Sequence, residues 1–428
     1  MYRIRSNHCA LLVSVAILSI STTVDAVEIK PNASFGMRYT DNARKVSINE
    51  EDDFIAISRV GASVDAGSGP FKLDANTSLS YNNYIQDSFG IQRYFNLDAT
   101  AGWEMLKDRI KWQVKDIFSQ QLINSLNPDA PDNIQDTNVF TFGPVIDYRI
   151  SGRHSMTFKP EYRRFTYGSQ NNDNQQDSLD ISWNYKLFRT MSVGMRGGVN
   201  KTDYDDVSQT DNTFRNIHLT LSAKRADYNY DAKVGTTNVD SGVGKGVRGI
   251  TGNVNWSFDI TGFSSLRAHV SSDITDANNN LLNAAINPDD GGLLGEDISA
   301  EVLRKNNFRL TYQRNSAALI ADIWIELNKQ DYLFALLDRE VKAAGFNFVR
   351  PVTAVLSIGI NASYNSIEST DIFRTDEVVS VGSNINYRWS RSISGVVDLK
   401  YTDKTSSLNT LNYSETSIFA SVVYRYGG

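Results

Sequence analysis

The chain has 428 residues and one cysteine, with 49 acidic against 43 basic side chains and a formal charge of -6. That acidic balance argues against nucleic-acid binding, which needs clustered Lys and Arg against phosphates. Mean hydropathy is -0.35, and beyond the first residues no run approaches the roughly 20 apolar residues of a membrane helix. A transmembrane β-barrel stays open on these numbers, because it spends only alternate residues on lipid.

The first 26 residues read as a signal peptide. Arg3 and Arg5 precede an apolar stretch from Ala10 to Ile20, and Val24-Asp25-Ala26 offers a small residue at the cleavage point. A retained anchor is the alternative, against which the apolar run is short. Cys9 lies inside this segment and ahead of its apolar core, badly placed for a lipoprotein cysteine. The mature chain then has no thiol, and loss of Arg3, Arg5 and Asp25 takes its charge to -7. No linker divides residues 27–428, so they read as a single unit.

From Asn32 onward the chain alternates. Ala33, Phe35, Met37 and Tyr39 share one face of the first segment. Phe71, Leu73, Ala75, Thr77, Leu79 and Tyr81 face away from Lys72, Asp74, Asn76, Ser78 and Ser80. Period-two alternation is the mark of a strand with one apolar and one polar side. It recurs at Phe95–Trp103, Leu179–Leu187, Ile217–Ala223, Ile250–Ile260, Leu356–Tyr364, Ile385–Trp389 and Ile418–Tyr426.

Tight turns separate these strands about every 40 residues, a spacing that invites comparison with repeat folds. They are Gly67–Pro70, Leu106–Arg109, Ser151–His154, Phe188–Thr190, Arg225–Asp227, Thr261–Phe263, Arg314–Ser316, Arg350–Val352 and Trp389–Arg391. Longer polar loops alternate with them: Thr40–Asp53, Ser119–Asp136, Gly168–Ser178, Asp203–Asn212, Asp276–Ala300, Ser366–Glu377 and Asp403–Ser414. A propeller would need four short strands per repeat. Here each repeat holds two strands long enough to cross a membrane at a tilt. The pattern predicts an all-β fold: an antiparallel, up-and-down transmembrane barrel of about 18–20 strands, with short periplasmic turns and long extracellular loops. Trp103, Tyr148, Tyr185, Tyr228, Tyr387, Trp389 and Tyr401 fall near strand ends, where aromatic girdles meet the lipid–water boundary. Pro144 and Pro160 lie roughly opposite each other in consecutive strands, so a bulge or a local break is expected there.

The polar faces give the lumen. Lys111, Lys115, Glu161, Arg163, Arg196, His218, Arg267, His269, Asp322 and Arg388 are the lumen-lining candidates. Charges of both signs are expected to pair across neighbouring strands and to line a hydrated path. A barrel this wide encloses space that wall side chains alone do not fill. Ser119–Asp136 is the candidate for an inward constriction loop, because Phe118, Leu122, Ile123 and Leu126 are apolar in an otherwise Asn/Asp/Gln/Pro-rich stretch. A solvated external loop with a small apolar cluster is the alternative.

Catalysis finds little support. The mature chain has only His154, His218 and His269, and the last two face the lumen rather than lipid. An outer-membrane hydrolase built on a Ser–His pair is therefore the weakest of the functional alternatives. Asp276-Ala-Asn-Asn-Asn280 resembles the start of a calcium loop but lacks its glycine and closing glutamate. Gly242–Gly249 is glycine-rich but opens no helix, so it is no phosphate loop. No cofactor and no metal site is expected.

Tyr39-Thr40-Asp41-Asn42, and Ala130-Pro131-Asp132-Asn133-Ile134-Gln135-Asp136-Thr137-Asn138-Val139-Phe140 running into Gly143-Pro144, resemble outer-membrane proteins associated with PEP-CTERM/exosortase systems. Those are similar to the wider β-barrel porin 2 group found with exopolysaccharide clusters. The architectural resemblance covers nearly the whole mature chain; the motifs cover only these two stretches. It implies a barrel in the outer membrane of a Gram-negative bacterium, with a part in exopolysaccharide export or the envelope. One departure is the end, where Gly427 and Gly428 follow Tyr426 and displace the terminal aromatic that assembly machinery reads. The expected function is a passive, porin-like conduit. A non-conducting scaffold that binds surface polymer is the alternative. Expected partners are outer-membrane lipid and lipopolysaccharide, the assembly machinery, and an exopolysaccharide.

Overall fold

A computed structural model describes residues 27–169, 172–242, 246–276, 278 and 301–427. The segment read as a signal peptide, with Cys9, lies outside the described residues, as does most of the predicted loop 276–300. Twenty strands follow in order: β1 Val27–Thr40, β2 Asp53–Ser68, β3 Phe71–Tyr84, β4 Gln92–Leu106, β5 Ile110–Leu122, β6 Ile134–Arg149, β7 His154–Tyr167, β8 Asn174–Phe188, β9 Met191–Tyr204 and β10 Asn212–Lys224. The second half is β11 Tyr228–Ser241, β12 Gly246–Thr261, β13 Ser264–Thr275, β14 Leu303–Asn315, β15 Ile320–Tyr332, β16 Arg339–Pro351, β17 Leu356–Ser369, β18 Arg374–Arg388, β19 Ile393–Ser406 and β20 Tyr413–Arg425. Each strand pairs antiparallel with the next, and β1 closes on β20 from Asn32↔Arg425 to Thr40↔Ser417. The sheet thus has no edge, which answers the demand that every backbone polar group in lipid be paired.

All nine predicted tight turns lie at one end of the barrel, with Val27 and Arg425. The loops lie at the other, and the strands reach further into them than the residue pattern indicates. β8 begins at Asn174, β17 runs to Ser369, β18 begins at Arg374 and β19 runs to Ser406, all within stretches read as loop. Two further connections, at 85–91 and 333–338, are also loops. Shifts of register occur at Glu104/Leu106, Lys186/Phe188 and Asp259/Thr261, each beside a tight turn.

The apolar faces point outward, and among the described residues many of their large side chains stand exposed. Phe35 is 59%, Leu219 63% and Ile250 73% exposed. Trp103, Tyr148, Tyr387 and Trp389 stand exposed on this face beside the turns, whereas Tyr401 lies toward the loop end. The inward faces differ between the two ends. Near the turns, inward Lys72, Lys186, Lys224, Asp231 and Arg388 are exposed. Near the loops, inward Thr40, Gln176, Thr202, Gln330, Asp376 and Ser406 are buried. The lumen is therefore an open cup at the turn end and a packed polar plug at the loop end.

Pairing between β6 and β7 lapses from Phe142↔Tyr162 to Ile146↔Phe158. The register is the same on both sides, which puts Pro144 and Pro160 directly opposite each other, so the expected irregularity is a break rather than a bulge. Proline has no N–H to donate. Gly143 lets the strands stay close across this gap, since a Cβ there would lie 2.2 Å from the Pro160 carbonyl oxygen. Gly235 in β11 is tighter still: a Cβ would lie 1.8 Å from the Ile217 carbonyl oxygen and 2.7 Å from the His218 Cα. Backbone cannot yield at that distance. Gly235→Val is expected to abolish the compact, heat-modifiable form on a denaturing gel. Gly67→Ala, with nothing within 4 Å of the added carbon, is expected to leave it intact.

Candidate functional site: the occluded lumen

Alternation on β7 turns Lys159, Glu161 and Arg163 inward together. Register carries this face to Asp180 on β8, Arg196 on β9, His218 on β10 and Lys233 on β11. With Lys115 on β5 and Asp273 on β13, these groups line a cavity of about 540 Å³. Glu161 takes two cations, Lys159 at 2.7 Å and Arg163 at 2.5 Å. Arg163 also donates to the Gln176 amide oxygen at 2.8 Å. Arg196 meets Asp180 at 3.0 Å, and Lys233 stands 3.8 Å from Asp273. His218 Nε2 shares a 2.8 Å hydrogen bond with Thr251 Oγ1, which in turn meets Thr237 Oγ1 at 2.8 Å.

All ten lumen candidates read from the sequence fall on inward faces. Lys115, Glu161, Arg163, Arg196 and His218 line the cavity. Lys111 sits lower on β5, its side chain lying over Gly102. Arg267 and His269 share the inward face of β13 with Asp273, and His269 Nδ1 lies 2.5 Å from Asn255 Oδ1. Asp322 is near the turn end of β15. Arg388 is at the open mouth, where it donates to the Ala354 carbonyl at 2.7 Å. Both lumen histidines thus engage wall residues, Thr251 and Asn255. Arg309, Glu326 and Trp324 form a further inward group absent from the candidates: Arg309 bonds Glu326 at 2.8 Å and lies 5.0 Å from the Trp324 ring centre. An inward tryptophan breaks the apolar-out pattern, although period two from Asp322 places residues 324 and 326 on the inward face.

The β5–β6 loop, residues 123–133, leaves the wall and crosses to its far side. Its base is closed by Ile123 N–H donating to the Asn133 carbonyl at 2.8 Å. Inside the loop the Asn133 amide accepts from Asn124 N–H at 3.0 Å and donates to the Asn124 and Pro128 carbonyls at 2.8 and 2.9 Å. At the tip, Leu126 is buried against Val341 of β16 and Ile367 of β17. Its carbonyl oxygen accepts from Arg374 Nη2 at 2.6 Å and Lys404 Nζ at 2.9 Å. Asp376 holds both cations, Arg374 at 2.6 Å and Lys404 at 3.1 Å, and accepts from Ser406 Oγ at 2.6 Å. Arg339 Nη1 donates to Ser125 Oγ at 3.0 Å. From the β1–β2 loop, Lys45 pairs with Asp129 and lies 3.4 Å from Glu415. Burial works against the Lys45 ammonium, but the Asp129 and Glu415 carboxylates outweigh it and raise its pKa above the ordinary lysine value.

Two of the four residues expected in this loop belong to the strand instead. Phe118 and Leu122 lie in β5, and the Phe118 ring packs against Phe95 on the outer face, 5.5 Å between centres. The alternation of β5 continues through the polar stretch, so an apolar residue there can be outward-facing rather than loop. One residue of the connection after β13 also reaches inward. Asn278, from the calcium-loop-like stretch, accepts from Tyr167 Oη at 2.7 Å and from the Asn174 amide at 3.2 Å.

No family model matches the chain, and no curated protein sequence is similar to it. Solved structures are. The ferric enterobactin receptor PfeA of Pseudomonas aeruginosa superposes with a TM-score of 0.52 at 10% identity, over 94% of this chain and 81% of that one. The siderophore receptor PiuA of Acinetobacter baumannii gives 0.50 at 10% identity, over 94% and 82%. OccK1 (OpdK) of P. aeruginosa gives 0.42 at 9% identity, over 93% and 99%. At such identities the likeness is one of fold. The chain has the closed antiparallel fold of outer-membrane β-barrel proteins.

Proposed function

We propose that this barrel sits in the outer membrane of a Gram-negative bacterium and acts as a passive, porin-like conduit for polar solutes. The observation that carries this reading is the cup: a wall of paired charges, amides and hydroxyls around a cavity open to the turn end. Such a lining solvates a polar solute without binding it irreversibly, which is what passage requires. Outside, the pairs Lys201–Asp203, Lys329–Asp331 and Lys342–Glu340 stand above the apolar band at the loop end, at the level suited to charged lipid headgroups such as lipopolysaccharide. An exopolysaccharide strand, the cargo implied by the resemblance, would require the β5–β6 loop to leave the lumen.

The latch on Leu126 favours a second reading, a non-conducting envelope scaffold whose lumen stays plugged. Planar-bilayer recording of the refolded chain separates the two. The conduit reading expects discrete current steps. A folded barrel silent both as it stands and with the β5–β6 loop excised is the scaffold.

A further inference from the structure

We propose that the mid-barrel cavity binds small organic anions, carboxylated or phosphorylated solutes of about sugar size, entering from the turn mouth. This rests on the conduit reading, since a solute must reach the cavity through that mouth.

The charge around the cavity is unequal. Lys115, Lys159, Arg163, Arg196 and Lys233 face three carboxylates, Glu161, Asp180 and Asp273. Glu161 is shared by two of the cations, and Asp273 stands 3.8 Å from Lys233. Lys115 has no carboxylate within ion-pair distance among the described residues. On another part of the wall the carboxylates outnumber the cations. The inward faces of β2–β4 carry Asp65, Asp74, Asp98 and Glu104 against Arg59 and Lys72, by the pairing Asp65↔Asp74 and Asn76↔Asp98. An anion in the mouth is therefore pushed from that wall toward β5–β13, and a low-dielectric wall strengthens both effects.

The rest of the lining sets the size and kind of anion. Gln113, Thr141, Ser178, Asn200 and Asn216 offer hydroxyl and amide partners, and Ile117 and Phe214 add an apolar side. An inorganic ion would leave these unused. The volume, about 540 Å³, falls in the range of roughly 300–1,000 Å³ typical of small-molecule sites. Above the cavity the loop end is packed, so the site fits a compact solute rather than a polymer strand.

Four sugars of one shape test this: glucuronate, glucose 6-phosphate, glucose and glucosamine, titrated calorimetrically into the folded full chain in detergent at low salt. Both anions, or one of them, are expected to bind at least about ten-fold tighter than glucose or glucosamine, and to weaken as salt screens the charges. Which anion binds tighter tells carboxylate from phosphate. Lys115→Gln with Lys233→Gln is expected to lose most of that preference, with Lys115→Gln alone as the milder variant should the pair fail to fold. Failure of both glucuronate and glucose 6-phosphate to bind tighter than glucose, or a preference unchanged in the folded variant, overturns the proposal. Binding is read without conduction, so the two ideas fail separately. Anion binding in a silent barrel removes the conduit but keeps the site, and current without anion preference does the reverse.

Discussion

Excision of residues 124–132, joining Ile123 to Asn133 through an Asn-Gly turn, is expected to raise single-channel conductance by a factor of roughly three or more. A barrel of this strand number encloses more space than its wall fills, and in this protein the β5–β6 loop crosses that space at the loop end, its tip buried against β16 and β17. The cut is compatible with the fold, because Ile123 and Asn133 already share a backbone hydrogen bond and the turn simply shortens the hairpin. A gentler variant tests the latch itself. Arg374→Met, Asp376→Leu and Lys404→Met together remove both donors to the Leu126 carbonyl. They also avoid leaving a lone buried charge, which would cost several kcal/mol by itself, about 3–5 for a broken buried pair. Charge-assisted hydrogen bonds contribute roughly 1.5–3 kcal/mol each, so losing two is enough to move a loop between docked and undocked states. Flickering conductance between the parent and the excised form is the expected record. If excision leaves conductance where it was, the loop is not the constriction.

The second large effect concerns the outer face. Leu219→Arg is expected to destabilise the barrel by about 2–4 kcal/mol in lipid vesicles, the cost of a cation at the bilayer midplane on a barrel's lipid face. Leu219 is central in β10, 63% exposed, and flanked on its own face by Ile217 and Leu221. The next residue, Thr220, faces the lumen between Gly194 and Lys233. Thr220→Gln is therefore expected to cost less than about 1 kcal/mol, as polar changes on a hydrated surface do. Chemical unfolding from vesicles, followed by tryptophan fluorescence, gives both numbers. A harmless Leu219→Arg would mean that water, not hydrocarbon, bathes this face, and the membrane reading would go with it.

The nine tight turns and the outward residues of the strands were legible in the sequence because one-sided burial imposes period two. Ala33–Tyr39, Phe71–Tyr81 and Ile217–Ala223 each face the side their alternation predicts. The signal fades where the cause fades. Beyond the apolar band both faces of a strand are polar, so Arg374, Asp376, Lys404 and Ser406 look like loop, although their backbone ladder runs on. Phe118 shows the converse, an apolar residue that looks like an inserted loop anchor but stays on the outer face of β5.

Residue order alone thus determined an all-β chain with an apolar outside, a polar inside, and tight turns gathered at one end. It also placed the ten lumen candidates on the inward face, since parity along a strand is a local property. Only the tertiary structure decided how the lumen is filled. The Leu126 carbonyl meets Arg374 and Lys404 because closure of β1 on β20 brings β18 and β19 across from the β5–β6 loop. A backbone oxygen carries no sequence mark. Nor did the mixed signs along the strands reveal that cations outnumber carboxylates around the cavity. That imbalance belongs to which strands become neighbours around the ring.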